Sequence, residues 1–374
     1  MGYQHWKYET LNELCNDAFV KFGFTAEEAK IITDVLLMSD LYGIESHGMQ
    51  RMYRYFKGIK SGKIHVDRKP EIVFETPVSA VVDGNGGMGQ VISHFAMTKA
   101  IEKAKTAGIG IVTTRNSNHY GIAGYYAKLA CNEGLIGISC TNTEAIMVPT
   151  FGKKAMLGTN PIAVAMPAEP YDFFFDAATT VVTRGKLEVY NKMGKPLPEG
   201  WALDKDGKPS TDAADVLGNI NAHAGGGIMP LGGSTEKLGS HKGYGNAMIC
   251  EIFSAILSLG TTSNATGGAN AGGICHCFVA IDPKIFGDAE AIKQHLSDYL
   301  QTLRESPKAE GQDRIYTHGE KEVLAEKRIR EEGIPVNDNT MREVKELCDH
   351  LGMDFSHYFG DYLPPENPGF KQVY

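Results

Sequence analysis

Apolar residues recur at helical spacing near both ends of this 374-residue chain, whereas the middle consists of short strand-like runs separated by glycine turns. That order constrains the fold most, because repeated βαβ units would alternate the two patterns from end to end. "TAEEAKIITDVLLMSDLYG" sets Thr25 and Glu28 at capping-box spacing, with Ile32, Val35 and Leu36 on one stripe, which predicts a helix. Ser46 is placed to cap a second helix through "SHGMQRMYRYFKGIKSG". Near the other end "EKEVLAEKRIREEG" stops on Gly333, and "NTMREVKELCDHLG" offers Thr340 and Glu343 as another capping box. Between them "EIVFE", "SAVVDG", "IGIVTTR", "LIGISCT", "IAVAMP" and "CHCFVAID" read as strands. Two further stretches, "NKMGKPLPEGWALDKDGKPSTDAADVLG" and "LGTTSNATGGANAGG", read as hairpin and loop. The expected class is α+β: a mixed sheet between helical end regions.

A net charge of −8 argues against nucleic-acid or anionic-membrane partners, and it leaves any anionic ligand to be captured by local cations or backbone N–H groups. No window reaches the length of a membrane span, and the first residues lack a signal-peptide core, so the expected compartment is the cytoplasm. The seven cysteines form no CxxC pair. In "ICHCF", strand alternation would put Cys275 and Cys277 on one face and His276 on the other, so buried thiols are expected and no metal.

"VVDGNGGMGQVISHFAMTKA" contains Gly84-x-Gly86-x-x-Gly89 between a strand and a helix, a literal dinucleotide fingerprint. Such a motif also needs an acidic residue at the end of the following strand to hold the ribose. Here that strand ends in "TTRNSNH", where Arg115 is the one charged group. The fingerprint therefore fails.

Three other stretches carry chemistry. In "ESHGMQRMYRYF", His47, Arg51 and Tyr55 follow i, i+4, i+8 spacing while Met49, Met52 and Phe56 point elsewhere. Arg on such a stripe can grip a carboxylate with two parallel N–H bonds, although a solvated helix face has the same spacing. In "VTTRNSNHYGIAGYYAKLA", His119 stands where a strand gives way to a helix starting near Gly121, a place where ligands gather. A turn histidine is the competing reading. In "GSTEKLGSHKGYGNAMICEIF", Lys242 sits among glycines at the mouth of an apolar helix, which suits phosphate, or else a plain glycine connector.

Taken together, "SHGMQR", "DGNGGMGQ", "RNSNHYG", "GTNPIAVAMP", "DAATT", "HKGYG" and "HGEKE" resemble, in order, the blocks of the non-Rossmann malate/L-lactate dehydrogenase family. That resemblance implies a nicotinamide dinucleotide, NAD with NADP as the alternative, held on a mixed, largely antiparallel sheet and away from the first glycine cluster. It implies substrate-facing His47 and Arg51, and a proton donor or acceptor at His119. Cofactor positions would be Thr143; Asp176, Ala177, Ala178 and Thr179; Lys242; and His318, Gly319 and Glu320, where His318 replaces a usual Pro. It also implies a homodimer. The division expected on this basis is 1–120 for substrate and dimerisation, 121–285 for the cofactor sheet, and 286–374 as helices packing back on the first part.

The expected reaction is reversible hydride transfer between the nicotinamide and a 2-oxo acid, with malate and oxaloacetate as the leading pair. The alternatives are lactate, sulfolactate, ureidoglycolate, diketogulonate or a cyclic imine as substrate, or a silent nucleotide-binding protein. Reduction at C2 develops an alkoxide, so it needs a proton, from His119 or His47, and a carboxylate clamp, Arg51, with Tyr55 on the same wall. Malate's second carboxylate would need another cation, and Arg54, Arg115, Lys153 and Lys154 are the candidates.

Overall fold

The computed structural model describes residues 2–192, 194–266 and 273–366. Met193 and part of the glycine-rich loop expected over 259–273 lie outside them. The helices are α1 (Tyr8–Lys21), α2 (Ala26–Leu41), α3 (Arg51–Lys60), α4 (Gly89–Ala107), α5 (Gly124–Asn132), α6 (Arg184–Lys192), α7 (Ala213–Asn221), α8 (Ser240–Glu251), α9 (Ala289–Glu305), α10 (Glu320–Glu332), α11 (Asp338–Leu351) and α12 (Phe355–Phe359). The strands are β1 (Tyr3–Trp6), β2 (Glu71–Glu75), β3 (Ser79–Asp83), β4 (Ile109–Ser117), β5 (Ile136–Thr141), β6 (Ile162–Met166), β7 (Phe173–Ala177), β8 (Ala202–Leu203), β9 (Pro209–Ser210), β10 (Gly227–Ile228), β11 (Ile274–Ile281) and β12 (Ile334–Asn337).

The central sheet has seven strands in the order β2-β3-β4-β11-β5-β6-β7. Within it β3 and β4 pair in parallel and the other neighbours are antiparallel. A single βαβ unit, β3-α4-β4, is thus embedded in an antiparallel sheet. It explains why one dinucleotide-like glycine turn occurs without the strand–helix alternation of a doubly wound fold. The sheet takes β2 to β4 from before residue 120 and its other strands from after it.

Helices α4 and α5 cover one sheet face, burying Ala96, Ala100, Tyr126 and Ala127 against Val112, Ala163 and Phe278. Small residues let the helices lie close. A Cβ at Gly110 would fall 2.0 Å from the Ala100 carbonyl oxygen, and one at Gly137 would fall 2.1 Å from that of Ala127. The opposite face is apolar too, with Ile109, Ile111, Ile138, Ile162 and Ile281 packed around Cys140, Cys277 and the α8 residue Cys250.

The terminal regions share one core. Leu14 and Phe19 of α1, Leu36 of α2 and Tyr53 of α3 pack with Met341, Val344 and Leu347 of α11, while β1 pairs antiparallel with β12. The Thr25–Glu28 capping box is present at α2. The one expected at Thr340 and Glu343 is absent. There Asn337 caps α11, its side chain accepting from Asn339 N–H and Thr340 N–H, so the helix begins three residues earlier. Part of the "NKMGKP…" segment also departs from loop. Its end forms α7, capped by Asp212, whose Val216 and Ile220 join Leu187 and Ala202 in a small separate core. A single amphipathic turn pair gave too little periodicity to register in the sequence.

Candidate active site

Ser46 does not cap a long helix. Glu45–His47 form a 3-10 turn, the chain bends at Gly48, and α3 starts at Arg51. The bend is built on Asp40, whose carboxylate accepts Met49 N–H at 2.8 Å, and a Cβ at Gly48 would fall 1.8 Å from Asp40 Oδ1. His47, Arg51 and Tyr55 are therefore not one helical stripe, yet all three reach the same cavity.

The glycines of the failed fingerprint position the other histidine. Gly84 N–H and Gly86 N–H donate to the carbonyls of Arg115 and Asn116 at 2.8 and 2.7 Å. The Asn118 amide donates to the carbonyls of Gly86 and Gly87. A Cβ at Gly89 would fall 2.3 Å from the Asn118 carbonyl oxygen and 2.4 Å from that of His119. The turn thus clamps the end of β4 directly, and α5 starts at Gly124, three residues later than expected.

The cavity encloses about 540 Å³, within the range of small-ligand sites. Its lining includes His47, Arg51, Arg54 and Tyr55 together with Thr143, Thr159 and Ile274. The imidazoles of His47 and His119 stack, with centroids 5.5 Å apart and 24° between their planes. Tyr55 is 1% exposed and its hydroxyl bonds His119 Nδ1 at 2.9 Å, so it orders the ring as well as walling the cavity. Arg51 Nε–H donates to the Ser46 carbonyl at 2.6 Å, which sets the plane of the guanidinium. Burial first, then Arg51 and Arg54, pushes the His47 imidazole down to about 3. Burial, then Arg54, His47 and Arg51, holds His119 well below the ordinary histidine value. Both rings are therefore neutral near pH 7 until an anion offsets the guanidinium charges.

Of the four cations weighed for a second carboxylate, Arg54 lines the cavity. Arg115 is paired with Asp83 at 3.0 Å, and Lys153 and Lys154 lie off the cavity wall. Lys63 and Arg184 line it too, and neither carried a signal in the sequence. Burial, then the Arg54 charge, lowers the Lys63 ammonium.

The expected cofactor residues fall into two groups. Thr143 Oγ1 accepts Thr159 N–H, Thr179 N–H donates to the Thr159 carbonyl, and Leu231 N–H donates to that of Thr179. Leu231 lies against Gly243, so Lys242, exposed in the first turn of α8, belongs to the same side of the protein as Thr143 and Thr179. Asp176 takes Gly124 N–H at 2.7 Å, and burial still pushes its carboxyl up to about 6. Ala177 and Ala178 run on from β7 towards Thr179.

The second group sits at the start of β7. There the His318 ring packs against Phe173 and Phe175 and its carbonyl accepts Phe174 N–H. Gly319, at φ +101°, passes close under the Asp172 carbonyl. Glu320 is buried, paired with Arg314, and accepts Thr317 N–H.

Metal chemistry has no foothold in the cysteine-rich strand. His276 is buried between the hydroxyls of Thr141 and Ser117 and stacked on Tyr120. A bulge in the β4 pairing between Ile274 and His276 turns Cys275 towards Gly260, whereas Cys277 faces Cys140. Among the described residues no group of three His, Cys, Asp or Glu side chains could hold a metal ion, and no helix is long and apolar enough to cross a membrane.

The cavity brings paired imidazoles together with the guanidiniums of Arg51 and Arg54 and several hydroxyls, a set of groups suited to an anionic ligand. The chain is 44% identical over 336 residues to a malate dehydrogenase of Pyrococcus horikoshii, covering 89% of this chain and 92% of that one. It is 42% identical over 356 residues to an L-sulfolactate dehydrogenase of Methanocaldococcus jannaschii, covering 94% and 98%. A crystal structure of malate dehydrogenase from Entamoeba histolytica superposes with a TM-score of 0.89 at 37% identity, covering 94% and 99%. The malate/L-lactate dehydrogenase family profile matches residues 6–345, and this chain, a dehydrogenase of mixed α+β fold using a nicotinamide cofactor, belongs to that family.

Proposed function

We propose that the chain interconverts a 2-oxo acid and its 2-hydroxy acid, with oxaloacetate and malate as the principal pair. The observation that carries this reading is the stacked His47–His119 pair facing Arg51 and Arg54 in one cavity. The nicotinamide cofactor, when bound, supplies a hydride to C2 of the oxo acid or takes one from the hydroxy acid.

Arg51, oriented by Ser46, grips the C1 carboxylate through two parallel N–H bonds, and Arg54 takes the second carboxylate. His119 gives its Nε2 proton to the C2 oxygen, because Nδ1 is held by Tyr55. His47, stacked on that ring and bonded through Nδ1 to Ser46, keeps it in place. Binding of the dianionic acid offsets both guanidinium charges and raises the His119 pKa, so the imidazole gains its proton as the oxo acid arrives. The division near residue 120 fits this scheme: lining residues between 46 and 64, with 118 and 119, supply the imidazoles and the guanidiniums of Arg51 and Arg54, and Thr143, Thr159 and Arg184 from after it complete the cavity.

We assign Thr143 to the nicotinamide end, with Asp176, Ala177, Ala178 and Thr179 shaping the floor. Lys242, beside the N–H groups of the first turn of α8, is assigned to the diphosphate, and His318, Gly319 and Glu320 to the adenosine end. NAD is the proposed coenzyme, with NADP the alternative. A homodimer is supported by the exposed apolar flank after α8, where Ile252, Phe253, Ile256, Leu257 and Leu259 face outwards. A cytoplasmic setting is supported by seven buried cysteines, none in a disulfide.

Sulfolactate is the second reading, since its sulfonate would satisfy Arg54 as a carboxylate does and the sulfolactate relative aligns over nearly the whole chain. Oxaloacetate, sulfopyruvate, pyruvate and other 2-oxo acids, each assayed with NADH and NADPH, separate these cases. Oxidation of NADH with oxaloacetate as the best substrate is expected. Failure of every 2-oxo acid with both coenzymes would refute the proposal.

A further inference from the structure

The block "GTNPIAVAMP" supplies strand β6, but Asn160 in front of that strand is left without a task. It is 0% exposed, and its backbone stands at φ +37°, in the left-handed region, although a residue before proline is usually extended. A residue other than glycine keeps such a conformation only where its surroundings fix it. Asn160 is fixed through its side chain and its carbonyl alike.

Asn160 Oδ1 accepts Thr143 N–H at 3.1 Å. Its Nδ2 group donates to the Ala247 carbonyl and to Glu251 Oε1, both at 3.1 Å and both on α8. Its carbonyl accepts the Thr179 hydroxyl at 3.2 Å and the Cys250 thiol at 3.1 Å. Glu251 is buried in turn, and the Ser263 hydroxyl donates to it. Gly158 leaves room for this arrangement, since a Cβ there would fall 2.0 Å from Thr143 Oγ1 and 2.7 Å from Asn160 Oδ1. Three segments distant in sequence thus converge on one residue: the chain just after β5 with Thr143, the chain just after β7 with Thr179, and helix α8.

We propose that Asn160 is a positioning residue for the coenzyme: its amide ties Thr143 to α8, so that the groups meeting the nicotinamide end and the diphosphate keep one fixed separation. This rests on the assignment of Thr143, Thr179 and Lys242 to the coenzyme.

A dinucleotide is gripped at several points along its length, and each grip is effective only where the others hold it. Helix α8 lies outside the sheet, so no ladder of strand hydrogen bonds sets it against Thr143. The connection runs instead through Oδ1 on one side of the Asn160 amide and Nδ2 on the other. Asparagine suits the position because it offers an acceptor and two donors without a charge, and because it tolerates positive φ better than most side chains. Aspartate would keep the acceptor for Thr143 N–H. It would also turn an oxygen onto Glu251 Oε1 and the Ala247 carbonyl, where no proton is left to share.

The test is the dissociation constant of NADH, or of NADPH if that binds more tightly, read from the fluorescence of the reduced coenzyme with no oxo acid present. Asn160→Gly retains the backbone conformation and the carbonyl contacts and removes the amide. It should weaken the coenzyme about tenfold, because the bonds that hold Thr143 and α8 are lost together. The KM for the coenzyme should rise in step, and the KM for the oxo acid at saturating coenzyme should change little. Asn160→Asp should also weaken the coenzyme, through loss of the α8 contacts alone. Glu251→Gln, which makes the acceptor on α8 neutral, should weaken it about threefold. In an Asn160→Gly background Glu251→Gln should add nothing, because Glu251 acts through the amide.

A purely structural role would lower Tm, leave the dissociation constant of the folded protein unchanged, and make the two substitutions additive. Should Asn160→Gly fail to fold, the dissociation constant of Glu251→Gln carries the same test. Unchanged coenzyme binding in the folded variants, or equal losses towards coenzyme and oxo acid, would overturn the proposal. Because binding is read without substrate, failure of every 2-oxo acid would sink the proposed reaction alone, and the coenzyme titrations would still decide the role of Asn160.

Discussion

Replacing Arg51 by Ala tests two consequences of one side chain. Arg51 Nε–H is anchored on the Ser46 carbonyl, so the guanidinium fork meets a carboxylate with its plane already set. Removing a charge-assisted bidentate contact costs about 2–4 kcal/mol, or roughly 30- to 700-fold in kcat/KM for the oxo acid. The KM for NADH should change little. Arg51 also helps hold down the pKa of His47 and of His119, where burial is the largest cause. Taking that cation away lets both rings protonate more readily.

The sign follows directly. Reduction needs protonated His119, so activity is present below its pKa and lost above it, and Arg51→Ala should carry the falling limb of kcat towards alkali. Arg51→Lys, which keeps the charge and loses the fork, should weaken oxo-acid binding without moving the limb. Steady-state rates with oxaloacetate across a pH series, at saturating NADH, read both effects. Equal losses towards oxo acid and NADH would refute the clamp, and an unmoved limb in Arg51→Ala would refute the electrostatic argument.

Gly89→Ala places a Cβ against two backbone carbonyls at 2.3–2.4 Å, which no side-chain movement relieves. It should lower Tm by an amount matching about 1–3 kcal/mol and cut kcat disproportionately, because the displaced strand end carries His119; a stability loss with full activity would show that the turn does not position the ring. His276, fully buried with its pKa pushed down to about 3 by burial, stays neutral in the native state while the unfolded chain protonates below about 6.5. Stability should therefore fall as pH drops from about 6.5 towards 3, by up to about 1.4 kcal/mol per pH unit from this residue, and denaturant unfolding of His276→Gln should show a shallower slope.

The elements with strong local signals were legible in the chain itself: Thr25 with Glu28 at the start of α2, Gly333 at the end of α10, and six strands of the central sheet. Capping hydrogen bonds and apolar periodicity act within a few residues, so sequence states them directly. The class of fold followed from their order, and the failure of the fingerprint from a missing acid after β4. Where local signals compete, position was decided by distant partners. Asn337 displaced Thr340 as a cap, and Asp40 bent the chain at Gly48 so that His47 left the helix of Arg51 and Tyr55.

The site itself belongs to tertiary structure. Nothing in the spacing joins Tyr55 to His119, 64 residues apart. Nor does it choose Arg54 over Arg115, since the two differ in what the folded sheet sets beside them: a cavity for one, Asp83 for the other. Hydrogen bonds and charge fall off over a few ångströms of space, whatever the separation in sequence. The chain alone therefore determined which chemical groups were available and which segments became helix or strand. Only the tertiary packing that brings α3 and the end of β4 to one cavity decided which of those groups meet.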